Sequence, residues 1–304
     1  VHEPLVQEQL GELVREVAAA HAAPESSAPE LERAGAASAE PARKFWRALR
    51  AAAVGGLSIA CWLALWQLAS VQEWDVFFRF ENIPAPTEVA TAAVELLSAP
   101  KFADHVLSSV RRVFYGFSIA AVLAVGVGLV VGRFRLAAEA LLPPLEVLRP
   151  IPAVAWIPVA ILLFASAEQS MVFITFIGAY FPILLNTIHG VEGVDRRLVY
   201  ASLTLGARPI DVFREVILPG ALPSIVTGLS IGMGTSWFSL VTAEMISGQF
   251  GIGYYTWEAY TLQKYPHIVI GMIGIGLLGM LSSFAIRWSG RRLMPWFQPG
   301  ASST

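Results

Sequence analysis

The sequence predicts an all-α membrane protein with about six transmembrane helices, and three observations predict it. Only 14% of the 304 residues are charged and 55% are hydrophobic, whereas a soluble domain carries about 25% charge. The mean hydropathy is +0.60. Uncharged runs recur along the chain, each approaching or exceeding the ~20 residues a helix needs to cross hydrocarbon. Lipid leaves no backbone polar group unpaired, and runs this long suit helices better than barrel strands.

Taken in order, residues 1–42 form a separate piece. Leu10, Leu13, Val14 and Val17 have the i, i+3, i+4, i+7 spacing of a short amphipathic helix. The stretch HAAPESSAPELERAGAASAEPA is poor in large apolar side chains and is expected to be a disordered tail. The membrane domain then occupies residues 43–299, with spans near 51–70, 113–132, 150–167, 171–188, 220–243 and 268–286. Because about fifty largely polar residues precede the first run, that span is expected to serve as its own insertion signal.

Between the first two spans, NIPAPTEVATAAVELLSAP predicts a surface helix capped by Thr87, with Val89, Ala92, Ala93 and Leu96 on its packed face. The third span carries Pro150, Pro152 and Pro158, too many for one unbroken helix. It is either kinked for packing or broken where it lines a cavity.

Lysine and arginine set the orientation. One side holds Arg43, Lys44, Arg47, Arg50, Arg133, Arg135, Arg196, Arg197, Arg208, Arg214, Arg287, Arg291 and Arg292. The other holds only Arg79, Lys101, Arg111, Arg112 and Lys264. The positive-inside rule places both termini in the cytoplasm.

Several classes of function are excluded or disfavoured. A net charge of −2 with no long basic tract argues against a nucleic-acid binder. The single Cys61 excludes an internal disulfide or a multi-cysteine metal site. No lysine follows a glycine, so there is no phosphate-binding P-loop. Histidines 2, 21, 105, 189 and 267 are scattered. GLSIG at 228–232 matches a nucleophile elbow, but that elbow needs a strand-to-helix turn. Inside an apolar helix, Gly228 and Gly232 serve close packing, and Ser230 bonds to its own helix or a neighbour. With no convincing repeat between the halves, a secondary transporter built from inverted repeats is disfavoured. The chain shows no catalytic or energy-converting site, and uphill work would need a partner.

The polar segment YASLTLGARPIDVFREVILPGALPS, residues 200–224, stands out between two apolar runs. Asp195 or Asn186 brackets the exit from the fourth span, and Leu198–Leu205 are good helix formers. Gly206 permits a left-handed turn, Asp211–Ile217 form a second amphipathic turn, and Pro219 and Pro223 fix the angle of return into the fifth span.

This segment resembles the coupling loop of permease subunits of ATP-binding-cassette importers, whose pattern is EAA-x3-G-x9-I-x-L-P. Ala201, Gly206, Val216, Leu218 and Pro219 match at the family's spacing, while Tyr200 and Ser202 replace the usual Glu and second Ala. LRPIPAVAWIPVAILLF (148–164), HVLSSVRRVFYGF (105–117) and TAEMISGQFGIGYYTWEAY (242–260) are similar to the nitrate, sulfonate, taurine and bicarbonate group. The resemblance covers about residues 80–295 and implies the type I importer permease fold.

It further implies a coupling loop over 190–219, in which Tyr200, Ala201, Ser202, Gly206, Ala207, Leu218 and Pro219 meet an ATPase. The chain would be a non-catalytic pore subunit in a bacterial inner membrane, itself binding no cofactor, with ATP and Mg on the partner ATPase. Its other partners would be an external substrate-binding protein, a second permease copy (a homodimer) and lipid. The cargo would be a small oxyanion or, in some members, a vitamin precursor; a stand-alone channel or secondary transporter is the competing class. Arg149, Pro150, Pro152, Trp237, Glu244 and Met245 are candidates for the translocation path or gate, with Met233 and Phe238 as further narrowing residues. Arg149 either attracts an anion at the helix break or sits at the interface neutralised by Glu146, and the interface is favoured. Glu244 is assigned a structural or gating role, pairing across the dimer or closing the outer gate.

Overall fold

A computed structural model of the protein describes residues 28–74, 80–97, 100–247 and 250–296. The amphipathic helix expected around Leu10–Val17 lies outside the described residues. The chain divides into two units, Val1–Trp66 and Gln67–Thr304, described in turn.

The described part of the first unit is one helix, α1 (Ala28–Val71), which continues into the second. Its stretch Leu49–Val71 is long and apolar enough to cross a membrane. Residues 28–42 are helical, where the composition suggested a disordered tail. Their many Ala, Glu and Arg residues are strong helix formers, and extending an existing helix avoids the cost of nucleation.

The second unit begins with α2 (Pro86–Leu97), whose Val89 and Leu96 are buried and whose Ala92 and Ala93 are half-buried. Thr87 does not cap it. Glu88 accepts the backbone N–H of Ala85 at 3.1 Å, and the Thr87 hydroxyl accepts from Gln67 Nε2 at 3.2 Å.

There follow α3 (Pro100–Arg133), α4 (Arg135–Leu148), α5 (Ile157–Leu163), α6 (Ala167–Glu192), α7 (Arg196–Thr204), α8 (Pro209–Val212), α9 (Leu218–Ser247), α10 (Ile252–Thr261) and α11 (Tyr265–Leu293). Five helical stretches in the described chain can cross a membrane, or six if one bent pair counts as a span. The runs expected at 113–132, 171–188, 220–243 and 268–286 lie inside α3, α6, α9 and α11.

The run at 150–167 is not one straight span. Segments Arg135–Leu148 and Ala153–Leu163 meet at 85°. Pro150 and Pro152 have no N–H to carry the ladder onward. Pro152 is extended (φ −63°, ψ 142°) and leads into the 3₁₀ turn Ala153–Trp156. Pro158 sits in the first turn of α5, where a missing N–H costs nothing.

Helix α6 is the spine, packed on α3 along one side and α9 along the other. Small residues permit the approach. A Cβ on Gly128 would lie 2.7 Å from Thr187 Cβ, and one on Gly232 would lie 2.7 Å from Ile183 Cγ1. The GLSIG glycines therefore make a helix seam, and Ser230 donates to Val226 O of its own helix at 2.9 Å.

Candidate functional site

Two features lie at opposite ends of this bundle, since α6 runs from one end to the other and α9 runs back. At the first end the chain leaves α6 and turns through α7. The Asp195 carboxylate accepts the Arg197 N–H at 2.8 Å and caps α7, while the Asn186 amide donates to Pro182 O inside α6. Helix α7 closes with the N–H of Ala207 on Ser202 O (3.1 Å) and the N–H of Gly206 on Leu203 O (3.0 Å). That paired pattern is a Schellman cap, which needs a left-handed residue at Gly206's position. Gly206 has φ +88° and supplies it.

No residue of α7 is buried. Only Val199 and the following Ala207 lean on the core of Val191, Val212, Ile217, Ala221 and Ile225. Tyr200, Leu203 and Leu205 are exposed, Leu205 by 88%. Ala201 is exposed, while Ser202, Leu218 and Pro219 are half-buried. The loop is a capped knuckle presenting apolar side chains outward.

The chain returns through α8 and a π turn at Phe213–Ile217, where Leu218 N–H reaches Phe213 O. A wider turn relieves the clash between a proline ring and the carbonyl four residues back. Pro219 and Pro223 therefore sit within a continuous helical path into α9 rather than outside it.

At the other end lies a buried polar cluster. Arg112 on α3 and Glu244 on α9 are 1% and 0% exposed and pair at 2.7 Å. Ser109 donates to both Glu244 oxygens, at 2.7 and 3.0 Å. The start of α10 completes the cluster with three successive N–H groups. Gly251 donates to His105 Nδ1 (3.1 Å), Ile252 to Ser109 Oγ (2.9 Å) and Gly253 to Glu244 Oε2 (2.9 Å). A carboxylate at a helix N-terminus satisfies orphan donors and complements the dipole. Arg112 also bonds Glu168 and the carbonyl of Phe250.

Glu244 thus pairs with Arg112 of its own chain. His105, Ser109, Arg112 and Glu168 were not singled out from sequence as site residues. The available signal was the spacing of 105, 109 and 112, which places all three on one face of a helix.

The remaining path candidates separate. Trp237 is turned into the core and donates its indole N–H to Ser282 Oγ at 3.0 Å, and Met233 is buried in the same core. Both pack in the core of this chain. Met245 is half-buried and Pro150 exposed. Arg149, Pro152 and Phe238 come together around a cavity of about 340 Å³ between the α4–α5 bend, α6 and α9. The expected Arg149–Glu146 neutralisation is absent, because no ion pair of Arg149 occurs among the described residues.

Residues 116–298 match the family described as binding-protein-dependent transport system inner membrane component. A Methanocaldococcus jannaschii protein, provisionally named an ABC transporter permease, is 37% identical over 73% of this chain and 87% of its own. The nitrate import permease protein NrtB of a Synechocystis strain is 35% identical over 74% of this chain and 83% of its own. The bicarbonate transport system permease protein CmpB of the same strain is 31% identical over 86% and 95%.

Proposed function

The chain belongs to the binding-protein-dependent transport system inner membrane components, which are non-catalytic ABC transporter permeases, and on that premise we propose that it is the pore subunit of an ATP-driven importer of a small oxyanion. The α7 knuckle is the surface that an ATPase grips. Motion of the ATPase on binding and hydrolysing ATP with Mg enters at α7 and passes through the π turn into α9. The knuckle faces the cytoplasm and both termini lie on that side. The polar cluster lies outside, where a substrate-binding protein delivers cargo. A second copy of this chain completes the pore.

The observation that carries this reading is the Schellman-locked, outward-facing α7. An apolar surface of this kind in water is unfavourable unless a partner covers it. The names of the nitrate and bicarbonate relatives support a small oxyanion as cargo, and the sulfonate-group resemblance of 242–260 agrees.

The test is flux into proteoliposomes holding the chain with and without its ATPase and binding protein. Uptake of nitrate, bicarbonate or taurine is expected only with both partners and ATP. ATP-independent flux through the chain alone would instead establish a channel or secondary transporter.

A further inference from the structure

We infer that Arg149, Thr235 and Ser239 form a transit site for one small oxyanion inside the membrane domain; this rests on the importer reading above and names where the cargo touches the permease.

The three residues line the cavity of about 340 Å³ beside the α4–α5 bend. Its depth follows from helix register. Gly178, on its α6 wall, lies 11 residues from the start of Ala167–Glu192 and 14 from its end. At 1.5 Å per residue that is roughly 17 and 21 Å from the two ends. Thr235 is likewise 17 residues into Leu218–Ser247. Leu185 lines the same wall seven residues, roughly 10 Å, from the end of that helix, so the cavity runs from the middle of α6 toward the knuckle.

Arg149 is the one charged residue among those lining it, and no acidic residue joins it there. The side chain makes no hydrogen bond or ion pair among the described residues. Arg149 is exposed, so its unpaired guanidinium can meet an incoming ion. Ser239 is equally informative. It is 2% exposed, and no hydrogen bond of its hydroxyl occurs among the described residues. Its neighbour explains the aim of the side chain: a Cβ on Gly178 would meet Ser239 Oγ at 2.3 Å, so a glycine leaves the hydroxyl room at the wall. Thr235, one turn away, spends its proton on long bonds to its own helix, 3.2 Å to Ile231 O and 3.1 Å to Gly232 O. That proton can turn to a ligand.

A guanidinium, which can only donate, and two hydroxyls, which can each donate one proton, suit nitrate, bicarbonate or a sulfonate head. The rest of the wall, including Pro152 and Phe238, is apolar and holds the ion weakly. A transit site must bind enough to admit and loosely enough to release.

The experiment places a thiol at the site in the assembled transporter in proteoliposomes. Ser239→Cys is made in a Cys61→Ala background, which removes the native thiol. The rate of modification by the anionic 2-sulfonatoethyl methanethiosulfonate is compared with that by neutral methyl methanethiosulfonate. Adding Arg149→Gln is expected to slow the anionic reagent about tenfold, a Coulombic effect of one nearby charge. The neutral reagent should change less than about twofold, and Arg149→Lys should keep the anionic preference. Equal slowing of both reagents, an unchanged ratio, or no reaction in any nucleotide state would overturn the site. Flux is not the readout, so failure here is separable from failure of the importer reading.

Discussion

The guanidinium of Arg112 and the carboxylate of Glu244 meet at 2.7 Å with neither side chain reaching solvent, and they join α3 to α9 at the end of the bundle away from the knuckle. Two desolvated charges are retained only where their lone pairs and protons are all used. Here Ser109 and the Gly253 N–H take the rest of Glu244, while Glu168 and Phe250 take the rest of Arg112.

Removing one partner leaves the other buried and uncompensated. Arg112→Met or Glu244→Met alone is expected to cost about 3–5 kcal/mol. The double variant should cost less than the two singles summed. Denaturant titration in detergent micelles checks this, and strict additivity would show that the pair is not coupled. Glu168→Gln should be milder than either, because Glu168 is 44% exposed and its pairing is screened by solvent.

Gly251 is fixed by the same cluster. It has φ 140° and ψ 163°, a region essentially reserved for glycine. A Cβ there would lie 2.2 Å from the Glu244 carboxyl carbon. Gly251→Ala therefore suffers backbone strain and breaks the cluster at once. A loss of more than about 2 kcal/mol is expected, with the start of α10 becoming accessible to amide exchange. A variant with wild-type stability and protection would sink this account.

The α6–α9 seam gives a matched comparison. A Cβ on Gly190 would lie 2.8 Å from Ser224 Cβ and 2.9 Å from the Ala221 carbonyl, and neither atom can rotate away. On Gly126 a Cβ meets nothing within 4 Å. Gly190→Ala should lower the thermal midpoint in detergent, whereas Gly126→Ala should hold or raise it, because the lost backbone entropy of glycine is worth up to ~1 kcal/mol of stability. Equal effects would mean that the seam does not set the helix spacing.

What could be read from the chain beforehand depended on how local the physics was. The spans follow from runs of uncharged residues, and the Gly206 turn follows from cap chemistry confined to Ser202–Ala207. Pro150 and Pro152 announced a break, but a kink and an 85° bend leave the same prolines in sequence. The Arg112–Glu244 bond spans 132 residues, and nothing local distinguishes it from two interfacial charges. An aromatic in a span reads equally as packing or as pathway, and an apolar helix with no strong amphipathic face does not reveal that Trp237 meets the core. Arg149 was expected to be neutralised by Glu146 because a one-turn spacing allows it. The bend at Pro150 ends the helix there, and the expected pair does not form.

The knuckle yields the sharpest functional prediction. Gly206 has open space around its missing Cβ, so a side chain there clashes with nothing, and any effect must come from φ +88°. A left-handed conformation costs an ordinary residue about 1–2 kcal/mol, more for a β-branched one, and much less for Asn. Gly206→Val should unlock the cap of α7 while leaving the spans inserted, and transport should fall by at least about tenfold at normal membrane abundance. Gly206→Asn should retain most uptake. The discriminating measurement is uptake per transporter alongside ATPase rate stimulated by the binding protein. Loss of uptake with hydrolysis left unstimulated is expected for Val. Wild-type uptake in the Val variant would mean that α7 does not carry the force.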